Sequence, residues 1–306
     1  MPAVPADQAI TPDPVRHPVE VTPARTGAGD TGDAGGTGDA TTHGSARRGR
    51  RPRRRARAFL PAAGVFLALI GIWQLVTAAF GVQDYILPAP GTVISTLINR
   101  WGDTLASATW VTAEEIVLGF GISVGAGLLI ACALHFSPVA RQALYPLLIG
   151  SQTVPVVVIA PILAIIFGYT LTPKLILVAL ICFFPVVVGT LDGLASVDPQ
   201  LVRMMRTLYG TRWSIFRRVE FPSALPSMFT GLRLAAAYAA TGAVFGEYAG
   251  ATDGLGNVMR QAVPQLQSGL VYAAIGLLTA MSVLLFILVS LLERILVPWT
   301  GEGNDR

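Results

Sequence analysis

Lysine occurs once in this chain, at Lys174, against 21 arginines. A phosphate-binding P-loop needs a Gly-Lys pair ahead of Ser or Thr. Lys174 follows Thr172-Pro173 instead, so the chain holds no such loop. If ATP drives this protein, another subunit must hydrolyse it. A His-Glu-x-x-His zinc signature is missing too, and the three histidines are scattered at His17, His43 and His135. The two cysteines, Cys132 and Cys182, fall in apolar runs and offer neither a disulfide framework nor metal-ligand spacing. They read as small apolar packing residues. Charge is scarce as well. Only 13% of residues are charged and 53% are hydrophobic, whereas soluble domains carry roughly 25% charged residues.

What is present is apolar sequence in long runs. Uncharged stretches of about 20 residues, the length that crosses a bilayer, recur along the chain. The expected fold class is therefore all-α, a polytopic membrane protein with about six transmembrane helices. Charge-free runs place span one at 58–83, span two at 116–140 and span four at 175–191. Residues 142–173 are uncharged for longer than one span requires, which predicts a tilted or broken third helix. Span five is expected at 228–249, and span six within 261–292, mostly from Gly269 onward.

The net charge of +4 sits in the N-terminal tail. Residues 1–58 hold ten Arg and six Asp or Glu, while residues 59–306 hold twelve of each sign. The tail is rich in Gly, Ala, Thr, Pro and Asp, ends in "RRGRRPRRRARA" (47–58), and cannot bury a core, so it is expected to be disordered. Its basic run fits a juxtamembrane anchor on anionic lipid. A nucleic-acid-binding arm is the other reading of such a run, disfavoured because no aromatic residue interleaves it. A signal peptide is not expected, given the late start and the length of the first apolar run.

Six spans place both termini on one side. Arg and Lys are enriched in cytoplasmic loops. With the tail inside, the inner loops and C-terminus hold Arg141, Arg203, Arg206, Arg212, Arg217, Arg218, Arg294 and Arg306, against Arg100, Lys174 and Arg260 outside. Both termini are thus expected to be cytoplasmic, with a domain at 59–297 and a short tail at 298–306.

Small residues recur at helical spacing in "GFGISVGAG" (119–127) and "LAAAYAATGAVFG" (234–246). Such faces let backbones approach closely in lipid. Pro155, Pro161 and Pro185 interrupt spans three and four, as plain kinks or as breaks along a transport path. Gln152 lies beside Pro155 in "GSQTVP" (150–155). Glu115 and Glu247 stand near span ends, either as solvated helix termini or as residues lining the path. Gln152, Pro155, Glu115 and Glu247 are the candidate path residues.

The segment 198–226 is the largest inner loop. Asp198-Pro199 is a helix start, and Leu201, Met204, Met205 and Leu208 recur at helical spacing. Gly210 can end that helix. A second piece near 211–220 brings Trp213, Phe216 and Arg217 together, and "FPSALP" is expected to end it before span five. Met, Leu, Trp and Phe rimmed by Arg suit a partner's groove. They equally suit an amphipathic helix lying on the bilayer.

This segment resembles the cytoplasmic signature of ABC-importer permeases, Glu-Ala-Ala-x3-Gly-x9-Ile-x-Leu-Pro. With Pro222 on the motif proline, Phe221, Val219 and Tyr209 take its Leu, Ile and Gly, and Arg203-Met204-Met205 its Glu-Ala-Ala. The acidic and glycine positions therefore depart from the pattern. The flanks "SQTVPVVVIAPILAIIFG" (151–168), "ALICFFPVVVGTLDGLASVDPQLVRMMRTL" (179–208), "GAVFGEYAGATDGLG" (242–256) and "ILPAPGTVISTL" (86–97) are similar to the permeases for sulfonate, taurine, nitrate and thiamine precursors. The hydroxymethylpyrimidine type is closest in feel.

The resemblance covers about residues 60–297. It implies a type I importer fold in a bacterial plasma membrane and a second permease subunit, expected to be identical. It also implies a separate ABC ATPase, an extracytoplasmic solute-binding protein, and no cofactor. It assigns ATPase coupling to Arg203, Met204, Met205, Leu208, Tyr209, Gly210, Arg212, Trp213 and Pro222. An ion-coupled secondary transporter would favour buried acidic relays and an internal repeat. A membrane enzyme would need a catalytic constellation.

Overall fold

The computed structural model describes residues 60–299. The tail expected at 1–58 and most of the C-terminal tail lie outside the described residues. Among the described residues all regular structure is helical. In chain order the helices are α1 (Leu60–Ala79), α2 (Pro90–Arg100), α3 (Ala106–Phe136), α4 (Pro138–Ser151), α5 (Val156–Phe167) and α6 (Leu171–Ala195). There follow α7 (Pro199–Thr207), α8 (Arg212–Ile215), α9 (Phe221–Tyr248), α10 (Leu255–Ala262) and α11 (Ser268–Leu296). Five-residue π turns at Trp101–Leu105 and Phe216–Glu220 join α2 to α3 and α8 to α9.

Four helical rods are long and apolar enough to span a bilayer: Pro90–Phe136, Leu171–Ala195, Arg212–Tyr248 and Ser268–Leu296. The pair α4 and α5, bent by 95°, makes a fifth if counted as one span, and α1 is a shorter apolar helix. The bend is the break expected in span three. It falls at Gln152–Pro155, where Pro155 caps α5, whereas Pro146, Pro161 and Pro185 stay inside helices.

Three boundaries differ from the sequence expectation. Span two does not begin at residue 116: its helix runs from Pro90 through the π turn to Phe136, for 47 residues. Span four begins at Leu171 and takes Lys174 into its first turn, so Lys174 is not a loop residue. Span five does not wait for "FPSALP" to end; α9 starts at Phe221 and carries Pro222 and Pro226 in its first turns. A charge ends an uncharged run in the sequence, but it need not end a helix: Arg100, Asp103 and Glu114 are carried exposed along span two, and Lys174 is buried with Glu115 as its partner. The third follows from proline's missing N–H, which removes single rungs of the ladder. The π turn just before Pro222 loosens the backbone where its ring would meet the preceding carbonyls.

The core is a three-helix sandwich in which α6 lies between α3 and α9. Glycine makes the close approach possible. A Cβ on Gly189 of α6 would stand 2.8 Å from the Gly231 Cα of α9, and one on Gly127 of α3 would stand 2.7 Å from Val186 Cγ1. Ala235, Ala239 and Ala243 of α9 are fully buried on the same seam. The Gly119/Ser123/Gly127 stripe is thus a packing face, while Gly121 and Gly125 have open space beside them. Cys182 is buried in this core and its thiol reaches the Ala235 carbonyl at 3.3 Å. Gly121-Ile122-Ser123-Val124-Gly125 has the letters of a nucleophile elbow, but it lies inside α3. An elbow needs a sharp strand-to-helix turn, so Ser123 is no catalytic serine.

Candidate functional site

Two regions carry the chemistry. The first lies where α3, α6, α9 and α10 meet. Glu115 and Glu247 are both fully buried, so neither is a solvated helix terminus. Lys174, on the first turn of α6, donates from Nζ to Glu115 Oε1 at 2.5 Å. The Thr112 hydroxyl, one turn before Glu115, donates to Glu247 Oε1 at 2.7 Å and accepts the Leu255 N–H at 2.9 Å. The Gly256 N–H donates to Glu247 Oε2, so this carboxylate caps the N-terminus of α10.

Three side chains and one hydroxyl therefore tie four helices together. The other carboxyl oxygen of Glu115 is buried without a hydrogen-bond partner. In an apolar bundle, two carboxylates and one ammonium hold only while every partner stays in place. Sequence reasoning picked out Glu115 and Glu247 but missed their link through Lys174 and Thr112. The glycines in "DGLG" (253–256) were the available signal, because a side chain at Gly254 or Gly256 would collide with Glu247.

The second region is the segment 198–226. Asp198 accepts the Gln200 N–H at 2.7 Å, and Pro199 occupies the first turn, as the sequence predicts. The helix end departs from expectation. Tyr209, not Gly210, adopts the left-handed conformation, with φ 58. Its N–H bonds the Arg206 carbonyl at 3.1 Å, and the Gly210 N–H reaches the Met205 carbonyl at 2.9 Å. This pair of bonds is a Schellman cap, whose left-handed position normally holds glycine. The signature glycine thus has a physical reason at that position, and tyrosine costs about 1 kcal/mol there. Gly210 is required for space, since its Cβ would lie 2.7 Å from the Met205 carbonyl oxygen. Thr211 then caps α8 by accepting the Ser214 N–H.

The segment's large side chains divide. Tyr209 is 97% exposed, Leu208 67%, Trp213 63% and Met204 56%. Arg203 and Arg212 are exposed, and Met205, Gly210 and Pro222 are partly buried beneath them. Phe216, expected on the outer face, is buried instead. It stacks on Trp213 at 5.6 Å and meets Phe136 at 4.9 Å. It thereby fastens the segment to the end of α3. Beside it, His135 Nε2 and Glu220 Oε2 pair at 2.9 Å, a contact between α3 and the turn before α9 that the sequence did not disclose. Arg233 likewise finds Glu293 of α11 at 2.6 Å. Gln152 and Pro155 are exposed at the α4–α5 bend, apart from the Glu115 cluster.

A broken span, glycine-seamed helices and an exposed, capped helix–turn–helix between spans define a membrane-embedded translocation subunit. Residues 123–301 match the model of the binding-protein-dependent transport system inner membrane component family, and the chain belongs to that family. It is 36% identical over 234 residues to the formylaminopyrimidine transport permease protein of Halalkalibacterium halodurans, covering 76% of this chain and 93% of that relative. It is 29% identical over 245 residues to the taurine transport system permease protein of Escherichia coli, covering 78% and 89%. Among solved structures, it is similar to a chain of the methionine ABC transporter MetNI in an inward-facing conformation. The TM-score is 0.55 with 17% identity, over 63% of this chain and 95% of that one. The chain is thus an ABC-importer permease subunit of type I fold, embedded in the membrane, and it is not itself an enzyme.

Proposed function

We propose that this permease imports a small pyrimidine of the thiamine-precursor kind, working as a pair of identical chains with both termini in the cytoplasm. An extracytoplasmic binding protein delivers the solute, and two ATPase subunits close beneath the pair. The substrate reading is supported by the 36% identity to the formylaminopyrimidine permease against 29% to the taurine permease.

The coupling role rests on one observation above the others: Met204, Leu208, Tyr209 and Trp213 are exposed together on a stiffly capped turn. They form the docking face, with Arg203 at its rim. Met205, Gly210, Arg212 and Pro222 shape it from behind. A groove on the ATPase takes these apolar anchors, and its closure on ATP moves them. The solute path runs along the α4–α5 bend, where Gln152 offers a polar group beside Pro155. Glu115 and Glu247, buried apart from that bend, stiffen the helix bundle beside it.

Proteoliposomes carrying the permease, its ATPase and its binding protein test this reading. Labelled formylaminopyrimidine should accumulate with ATP, and labelled taurine should not. Taurine uptake with no pyrimidine uptake would sink the substrate reading and leave the coupling role standing.

A further inference from the structure

A cavity of about 210 Å³ lies behind the segment 198–226, between α7–α8 and the junction of α3 with α4. Arg206 of α7 and Arg212 of α8 both line it, with Phe136 and Ile215 as apolar wall. Among the described residues neither guanidinium has an ion-pair or side-chain hydrogen-bond partner. The carboxylate in the lining, Glu220, is already engaged by His135 at 2.9 Å. The two arginines are presented by a turn of defined shape, set by the left-handed Tyr209 and the space-limited Gly210. Phe136 of the wall is held in place by Phe216, which in turn stacks on Trp213.

We propose that this cavity is a binding site for a phosphate group, held jointly by Arg206 and Arg212. One guanidinium already satisfies a carboxylate in a two-point fork. Two of them on a single cavity suit an anion with three or more oxygens and up to two negative charges, which a phosphate supplies. The apolar wall accommodates the organic part of a phosphate ester. Two sources share this chemistry. A phospholipid head group is one, because the lining includes His135 and Phe136 at the end of span α3 and Glu220 just before span α9. A soluble phosphate monoester can enter from the aqueous side. Either ligand would bridge α7–α8 to the α3–α4 junction and so hold the segment in its present position. This site does not depend on the pyrimidine reading.

The test uses the full chain in a neutral detergent with two probes. Native mass spectrometry counts bound short-chain phosphatidylglycerol, and equilibrium dialysis measures glycerol 3-phosphate. At least one probe should bind saturably, and which one does so identifies the source. Arg206→Gln/Arg212→Gln should weaken that binding by about tenfold or more. Arg217→Gln/Arg218→Gln, which removes the same charge outside the cavity, should change it by less than about twofold. Arg206→Lys/Arg212→Lys keeps the charge without the forks and should fall between the two, which separates recognition from misfolding. Equal losses in both Gln pairs, or no saturable binding of either probe, would overturn the site. So would a Gln pair at Arg206 and Arg212 that binds both probes normally but releases the ATPase subunit, since the arginines would then be protein contacts.

Discussion

The Glu115 cluster and the segment 198–226 treat unfavourable groups in opposite ways. In the cluster, charges that belong in water are buried and joined to one another across four helices. In the segment, apolar side chains that belong in a core are exposed, and among the described residues Arg206 and Arg212 have no ion-pair partner. The first arrangement is made within one chain and resists movement, because displacing Lys174 leaves a buried carboxyl without its partner. The second leaves an apolar face exposed, the mark of an interaction surface. In the proposed function the first serves as a wall that keeps its shape and the second as a handle for another subunit.

Breaking the cluster should have the largest effect. Lys174→Met leaves Glu115 buried and uncompensated, and should destabilise the folded protein by about 3–5 kcal/mol. Thermal or denaturant unfolding of the purified chain in detergent measures this. The double variant Lys174→Met/Glu115→Gln should recover most of the loss; if it is no better than the single variant, the pair does not carry the stability assigned to it.

Breaking the handle should leave the fold largely alone. Leu208→Asp changes an exposed position, so membrane insertion and melting should match the wild type within about 0.5 kcal/mol, while Trp213→Asp also loses the stack on Phe216 and should cost about 0.5–1.5 kcal/mol. ATP-coupled uptake in the assembled importer should fall by about tenfold or more, since an acidic residue replaces an anchor in a desolvated groove. Uptake at the wild-type rate would remove the coupling role from this face.

The smallest effect concerns the cap itself. Tyr209→Gly relieves the left-handed backbone, and should raise stability by under about 1 kcal/mol because glycine also loosens the unfolded chain. Gly210→Ala should be worse tolerated, as its methyl group meets the Met205 carbonyl. A calorimetric comparison of the two variants would show whether the strain lies at residue 209 or 210.

Much of the fold was legible because bilayer length and charge-free runs constrain helices directly. The final span, the broken third span and the Asp198-Pro199 start all follow from local rules. Where span four took in a charge, a pairing invisible to local rules was responsible: Lys174 and Glu115 are 59 positions apart and cancel only once α3 and α6 pack. The outer face of the segment was half legible. Helical spacing placed Met204, Leu208 and Trp213 outside, but it could not know that Phe216 has Phe136 waiting at the end of α3.

The sequence by itself determined that this is a helical membrane protein without a P-loop, and that its 198–226 segment carries a permease signature with Arg and Tyr in the place of Glu and Gly. These are properties of composition and of neighbours along the chain. The tertiary structure alone decided which charges are neutralised, which small residues form a seam, and which aromatic ring is anchor rather than handle. Those outcomes depend on distances between helices remote in sequence, where burial and pairing rather than residue type set the energy.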